Sequence, residues 1–325
     1  MRGATHSRRT FLALVSRALP GAWVLASGRL RARAGEAGVV TGEKTLDGLL
    51  SQAREGRWSE RPIGERVGAV GMALRRTPYV DGTLELYDDR EVCSVNLSGL
   101  DCVTFFESAL AVARMLKRGG RTPEALLTEV TYTRYRDGRV TDYASRLHYM
   151  SDWFFDNDAR RVVRVITGDL PGAVPFTKRV GYMSAHPEAY RQLKANPELV
   201  GKIARVEADI NARATHYLPK EKVAGARGLL KTGDIVGITT TIDGLDCSHS
   251  GLCYRDERGV VRLLHASTTR KAVVLDEDLA SYLAGVSTHT GIMVARPLEV
   301  RPAGPSRRAS SFFLVPGAGG GSRGD

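Results

Sequence analysis

Ile235-Val236-Gly237-Ile238-Thr239-Thr240-Thr241, Ser248-His249-Ser250-Gly251-Leu252-Cys253-Tyr254 and Val260-Val261-Arg262-Leu263-Leu264-His265-Ala266 follow one another after the turn Gly233-Asp234. Each run is short, apolar or β-branched, and bounded by turn residues, which predicts consecutive strands. Ala272–Leu275 and Gly291–Ala295 read as two more, with a short helix over Asp276–Leu283 between them. Upstream the rhythm is helical. Cys102–Lys117 places Phe105, Ala109, Val112 and Leu116 on one stripe and ends at Gly119-Gly120. Helices first and an antiparallel sheet afterwards is an α+β order.

Working outward, Thr45–Arg54 and Val200–Arg213 predict helices, and Thr122-Pro123 opens another to about Val130, a capping residue followed by proline. Ile63–Arg76 has a helical period, weakened by Gly64, Gly68 and Gly71. Thr77–Gly82 is a turn, Thr83–Tyr87 alternates like a half-buried strand, and Asn96–Leu100 is a turn-rich approach to Asp101-Cys102. Tyr132–Asn157, crowded with aromatics and charges, reads as long surface loops. No internal repeat is visible.

The chain has 325 residues, 42% of them hydrophobic and 26% charged, the composition of a folded globular protein. Its formal charge is +11, but seven arginines stand in residues 1–34 without one acid, and the remainder carries only +4. No basic stripe with interleaved aromatics marks the body, so nucleic acid is excluded as a partner. The N-terminal arginines have another reading. Ser7-Arg8-Arg9-Thr10-Phe11-Leu12 is a twin-arginine motif, followed by an apolar run to Ala26 and a small-x-small site, Ala32-Arg33-Ala34. Residues 1–34 are therefore expected to be an export signal directing the protein to the periplasm or cell envelope. Arg17 and Pro20 interrupt the apolar run, which is too short to span a bilayer comfortably, so no stable membrane insertion is expected after its removal. Residues 35–301 are expected to form one catalytic domain, and 302–325, dominated by Gly, Pro, Ser and Arg, a disordered tail.

Four cysteines (Cys93, Cys102, Cys247, Cys253) do not make a disulfide scaffold in a chain of this length. Asp101 stands where a helix cap belongs, which makes Cys102 the first helical residue, and Thr104-x-x-Glu107 offers an overlapping capping box. Exposed N–H groups and the helix dipole favour a thiolate there, although an isolated cysteine at such a place is more often a packed core residue. His249 and His265 flank the turn Asp256-Glu257-Arg258-Gly259. A hairpin centred on Glu257 sets them directly opposite, with Cβ atoms about 4.5–5.5 Å apart. One imidazole could then take the thiol proton while the other fixes its tautomer.

These residues resemble a known family. Asp101-Cys102-Val103-Thr104-Phe105-Phe106-Glu107, Gly233-Asp234-Ile235, His249-Ser250-Gly251 and Leu264-His265-Ala266-Ser267 look like the NlpC-type papain-like cysteine hydrolases. More narrowly, the chain resembles their N-acetylmuramoyl-L-alanine amidase-like branch over roughly residues 60–297. Thr77-Pro78-Tyr79, Thr83-Leu84-Glu85, Ser145-Arg146-Leu147-His148-Tyr149 and Tyr217-Leu218-Pro219-Lys220 add to the likeness. The resemblance implies a papain-like fold, helices packed on an antiparallel sheet or half-barrel. It also implies a peptidoglycan amidase with Cys102, His249 and His265 as catalytic residues and no cofactor. His148 is the rival third member. Arg146 is the candidate grip for a muropeptide carboxylate, with a structural ion pair as the alternative. Asp101 and Ser267 are expected to line the pocket, with capping and turn formation as their structural alternatives, and Asn96 is a minor oxyanion donor. An endopeptidase cutting within the stem peptide would need the same triad. Cys247 and Cys253, which share His249's face of a regular strand, motivate a zinc alternative using Cys102, Cys247, His249 and His265. A non-catalytic envelope-binding protein is the third class.

Overall fold

The structure is a computed structural model and describes residues 38–300. The expected export signal (1–34) and tail (302–325) lie outside the described residues. Val39–Thr41 (β1) pairs in parallel with Ser94–Asn96 (β2). The helices are Glu43–Glu55 (α1), Ile63–Ala73 (α2), Cys102–Lys117 (α3), Pro123–Arg134 (α4), Met150–Ala159 (α5), Tyr182–Ala185 (α6), Arg191–Ala195 (α7), Glu198–Asn211 (α8), Lys220–Ala226 (α9) and Leu279–Ala284 (α10). The large sheet contains Val163–Val165 (β3), Val174–Pro175 (β4), His216–Pro219 (β5), Ile235–Thr240 (β6), Cys247–Arg255 (β7), Val261–Ser267 (β8), Ala272–Asp278 (β9) and His289–Pro297 (β10). Its order is β4-β5-β10-β6-β7-β8-β9, with β3 also on β10, and every pairing is antiparallel. Helices with an antiparallel sheet make the fold α+β.

Both faces of this sheet are covered, which is why β6 is buried at all six positions and reads as a continuous apolar run. Leu252, Leu264, Ala266 and Val273 pack with Phe105, Ala109 and Leu110 of α3. The alternate residues Val236, Cys253, Leu263 and Ile292 pack with Val223 of α9 and Leu279 and Leu283 of α10. A third cluster gathers Tyr143, Tyr149, Met183, Leu193, Leu199 and Ile203 around α6–α8. Among the described residues no helix is long and apolar enough to cross a membrane.

The α3 boundaries match the apolar stripe. Asp101 Oδ1 accepts from the N–H groups of Val103 and Thr104, and Thr104 Oγ1 accepts from Asp101 N–H, a reciprocal box. Thr104 therefore closes the cap, and Glu107 does not. It enters the core, where its carboxylate receives Arg134 Nε at 2.6 Å and Trp153 Nε1 at 3.1 Å. The glycines that weaken α2 as a helix are explained by packing: a Cβ on Gly71 would lie 2.9 Å from Leu264 Cδ2 and 3.1 Å from Leu252 Cδ1. Absence of that atom lets α2 sit close on β7 and β8.

Two expectations fail. Thr83–Tyr87 is a turn and bend, not a strand. Glu85 turns to Tyr143 and Arg146 while Leu86 is exposed, so the alternation has no sheet edge to serve. Tyr132–Asn157 is not a surface loop: it holds the end of α4, most of α5, and the buried Tyr135, Tyr143, Leu147 and Trp153. Its charges misled the reading because they are paired inside. Asp152, for instance, is fully buried between Arg136 and Arg213.

The Glu107–Arg134 pair tests this account of the interior. Glu107→Ala would leave a buried guanidinium without its carboxylate, at a cost of about 3–5 kcal/mol. A urea midpoint lowered accordingly at constant m-value is the expected result.

Candidate functional site

Asp101 and its cap hold Cys102 at the first position of α3, with the sulfur turned toward β7. Its polar neighbours there are the hydroxyl and backbone N–H of Ser250. The next residue back along β7 is His249. No hydrogen bond among the described residues joins the sulfur to that imidazole. Tyr79 and Tyr282 both lie near enough for a charge on Cys102 to raise their phenol pKa values. Burial pushes the Cys102 thiol up to about 12, with the Asp101 carboxylate adding to the rise; Ser250 and the cysteine's own N–H oppose it. Desolvation thus opposes the thiolate that the helix dipole favours.

The two histidines meet, but not in the register expected. Leu252 pairs with Leu264 and Arg255 with Val261, which centres the hairpin on Arg258 rather than Glu257. Asp256 N–H bonds to Val260 O, and Asp256 Oδ1 also accepts from Arg258 and Val260 N–H, which moves the centre of the turn one residue along the chain. His265 consequently lies level with Gly251. A shift of this size keeps both histidines on one face and makes them diagonal neighbours. The rings stand edge to face with His249 Nε2 2.6 Å from His265 Nδ1. Gly251 allows this, since a Cβ there would lie 3.0 Å from His265 Cβ.

The line continues across the sheet. Val274 is level with His265, and two residues further on Asp276 Oδ2 lies 3.3 Å from His265 Nε2. Tyr282 of α10 covers the pair, its ring 5.2 Å from His265 and 6.3 Å from His249. His289, on the far side of Tyr282 at 5.7 Å, completes the aromatic wall. Burial, then His265 and His289, holds His249 well below the ordinary imidazole value. His265 is lowered by burial against the opposing pull of Asp276, and His289 falls to about 4 through burial and Lys220. Burial thus favours the neutral forms of the thiol and of the imidazoles.

The other candidates have structural duties. Asp101 is the cap already described. Ser267 Oγ accepts from Arg270 N–H, and Asn96 Oδ1 from Ser98 N–H, both turn contacts. Arg146 is 4% exposed, with Nη2 3.0 Å from Glu85, Nε 3.5 Å from Glu91 and its guanidinium over the Tyr143 ring. That is the ion-pair alternative, with no open face for a substrate carboxylate. His148 Nε2 meets Tyr143 O at 2.8 Å and its ring packs on Tyr143, so it is engaged with neither His249 nor His265.

The four cysteines are free. Cys253 shares His249's face, four residues on in unbroken alternation, but Cys247 does not. Ile238 pairs with His249 but Thr239 with Cys247, so β7 carries one extra residue, Ser248, and its alternation breaks there. Cys247 packs toward the α3 core while Cys253 sits in the opposite one. No three His, Cys, Asp or Glu side chains among the described residues converge to hold a metal ion. Sequence reasoning missed Asp276, Tyr282 and His289. Asp276 was read as a helix start, and its pairing needs the β8–β9 register.

A thiol at a helix end, given an imidazole to take its proton, can attack a carbonyl carbon. The comparisons with known proteins bear on which one. The model of the AmiA-like family, N-acetylmuramoyl-L-alanine amidase-like, matches residues 69–296. An N-acetylmuramoyl-L-alanine amidase from Bacteroides uniformis is 34% identical with a TM-score of 0.67, over 73% of this chain and 99% of that one. A candidate xylanase from Bacteroides fragilis is 36% identical with a TM-score of 0.64, over 70% and 98%. A Legionella pneumophila protein, 19% identical with a TM-score of 0.59 over 80% and 96%, shares the fold. No curated protein sequence matches. With the model spanning well over half its length and relatives matched almost end to end, this chain belongs to the AmiA-like, N-acetylmuramoyl-L-alanine amidase-like family.

Proposed function

We propose that this protein is a cysteine-type peptidoglycan amidase of the NlpC-type papain-like superfamily. It would cleave the amide between the lactyl group of N-acetylmuramic acid and L-alanine. The observation that supports this most directly is the hydrogen-bonded histidine pair under Tyr282, a ring that also lies near the capped Cys102, in a chain of an amidase-like family. The twin-arginine motif supports export to the periplasm or envelope, where peptidoglycan is met.

His249 Nδ1 accepts the Cys102 proton as Sγ attacks the carbonyl carbon, and the C–N bond breaks as the imidazolium returns that proton to the departing alanine nitrogen. The thioester then reacts with water, activated by the same nitrogen, to release the muramic acid carboxylate and restore the thiol. Donors for the tetrahedral oxyanion are few. The Val103 and Thr104 N–H groups are held by Asp101, which leaves the Cys102 N–H and the Ser250 side as the available ones. Contact between sulfur and imidazole tightens when substrate orders the site, as catalytic hydrogen bonds commonly do.

Mass spectrometry of muropeptides digested by the wild type and by Cys102→Ala is the test. Stem peptides freed from sugar, absent with the variant, are expected. Truncated stems would indicate the endopeptidase, and equal products from both proteins would remove Cys102 from the reaction.

The pH profile follows from the same chemistry. Reaction needs the proton on the thiol and a free lone pair on His249. Burial lowers the imidazole and raises the thiol, so the limbs of kcat/KM move apart. The acid limb should fall below the usual histidine value of about 6.5, and the alkaline limb above the usual cysteine value of about 8.5. A narrow bell between those two values would contradict these shifts.

A further inference from the structure

We infer that Asp276 is a positioning residue that sets the proton tautomer of both imidazoles and thereby presents His249 Nδ1 as the bare nitrogen. The inference rests on the proposed cysteine mechanism for its consequence, but its physical content is independent of it. Three adjacent strands contribute the line: His249 on β7, His265 on β8 and Asp276 on β9, each displaced two residues from the level partner of the one before. Rings and carboxylate are then joined at 2.6 Å and 3.3 Å.

Each neutral imidazole carries one N–H, so the carboxylate at one end dictates the proton at the other. Asp276 can only accept, so His265 holds its proton on Nε2. His265 Nδ1 is then a lone pair and must receive a proton from His249 Nε2. His249 Nδ1 is left unprotonated, and no hydrogen bond among the described residues occupies it. The carboxylate is itself fixed. Its Oδ1 accepts from Glu277 N–H at 2.9 Å, leaving Oδ2 for the histidine. A register shift between Arg262 and Leu264 places one extra residue of β9 at Asp276-Glu277, and such a bulge re-aims the local backbone.

This geometry makes Asp276→Asn a tautomer switch. The new amide oxygen stays on Glu277 N–H, so the NH2 group faces His265. His265 Nε2 must then accept, its proton moves to Nδ1, and that proton is donated to His249 Nε2. The His249 proton is forced onto Nδ1, the nitrogen that has to take the proton from sulfur. Asp276→Glu keeps an accepting carboxylate.

The test combines 15N NMR of labelled histidines with steady-state kinetics in the wild type, Asp276→Asn and Asp276→Glu. The wild type should show His249 protonated on Nε2 and bare on Nδ1, and Asp276→Asn the reverse, with kcat down roughly 100-fold at little change in KM. That loss is at the upper end of outer-shell effects and below the roughly 10⁴-fold of direct tautomer reversal in a triad. Asp276→Glu should recover most of the rate. A wild-type His249 protonated on Nδ1 overturns the inference, as does an Asp276→Asn protein whose ring assignments and kcat are unchanged. A rate loss accompanied by lower thermal stability and unaltered tautomers overturns it as well. The NMR result does not depend on which residue attacks, so turnover retained in Cys102→Ala would remove the cysteine mechanism and leave the tautomer assignment standing or falling on its own signals.

Discussion

From Thr104 to Leu116 every residue of α3 is buried, and that enclosure governs the rest of the molecule. A helix surrounded on all sides cannot leave polar groups to solvent, so each must find its partner inside. Glu107 takes Arg134 and Trp153, and Arg114 takes Glu129 at 2.8 Å. These contacts tie α3 to α4 and α5, while its apolar residues rest on β7 and β8. At the N-terminal end, where Asp101, Cys102 and Val103 are only partly buried, the Asp101 cap determines which residue stands first.

The packing around that end explains how one strand serves two purposes. Consecutive residues of β7 point in opposite directions, so Ser250 reaches the sulfur while His249 turns to His265 and Tyr282. Tyr282 of α10 is the group that lies near both sets. Cys247 is turned away from His249's face by the extra residue at Ser248, while Cys253 stays on that face, buried beneath α10.

Where elements are marked by local chemistry, the sequence was a good guide. The α3 stripe, its cap, and β6 to β8 were readable because apolar period and turn residues both act within a few positions. Tyr132–Asn157 was misread for a physical reason: Asp152, Arg136 and Arg146 look solvent-seeking one by one, and only the tertiary fold supplies the partners that allow them inside. The same limit applied at the site. That His249 and His265 share a face depends on parity, which survived a shift of the turn centre to Arg258. That Asp276 joins them depends on a bulge between β8 and β9, for which neither strand alone carries a signal. The burial of Arg146 in ion pairs follows likewise from Glu85 and Glu91, residues distant in the chain.

The raised thiol pKa of Cys102 also bears on durability. Oxidants attack the anionic form of sulfur, and mixed disulfides form through it. A sulfhydryl slow to ionise offers peroxide little to react with, and the four cysteines are free. The desolvation that opposes ionisation of this sulfur therefore also opposes its oxidation.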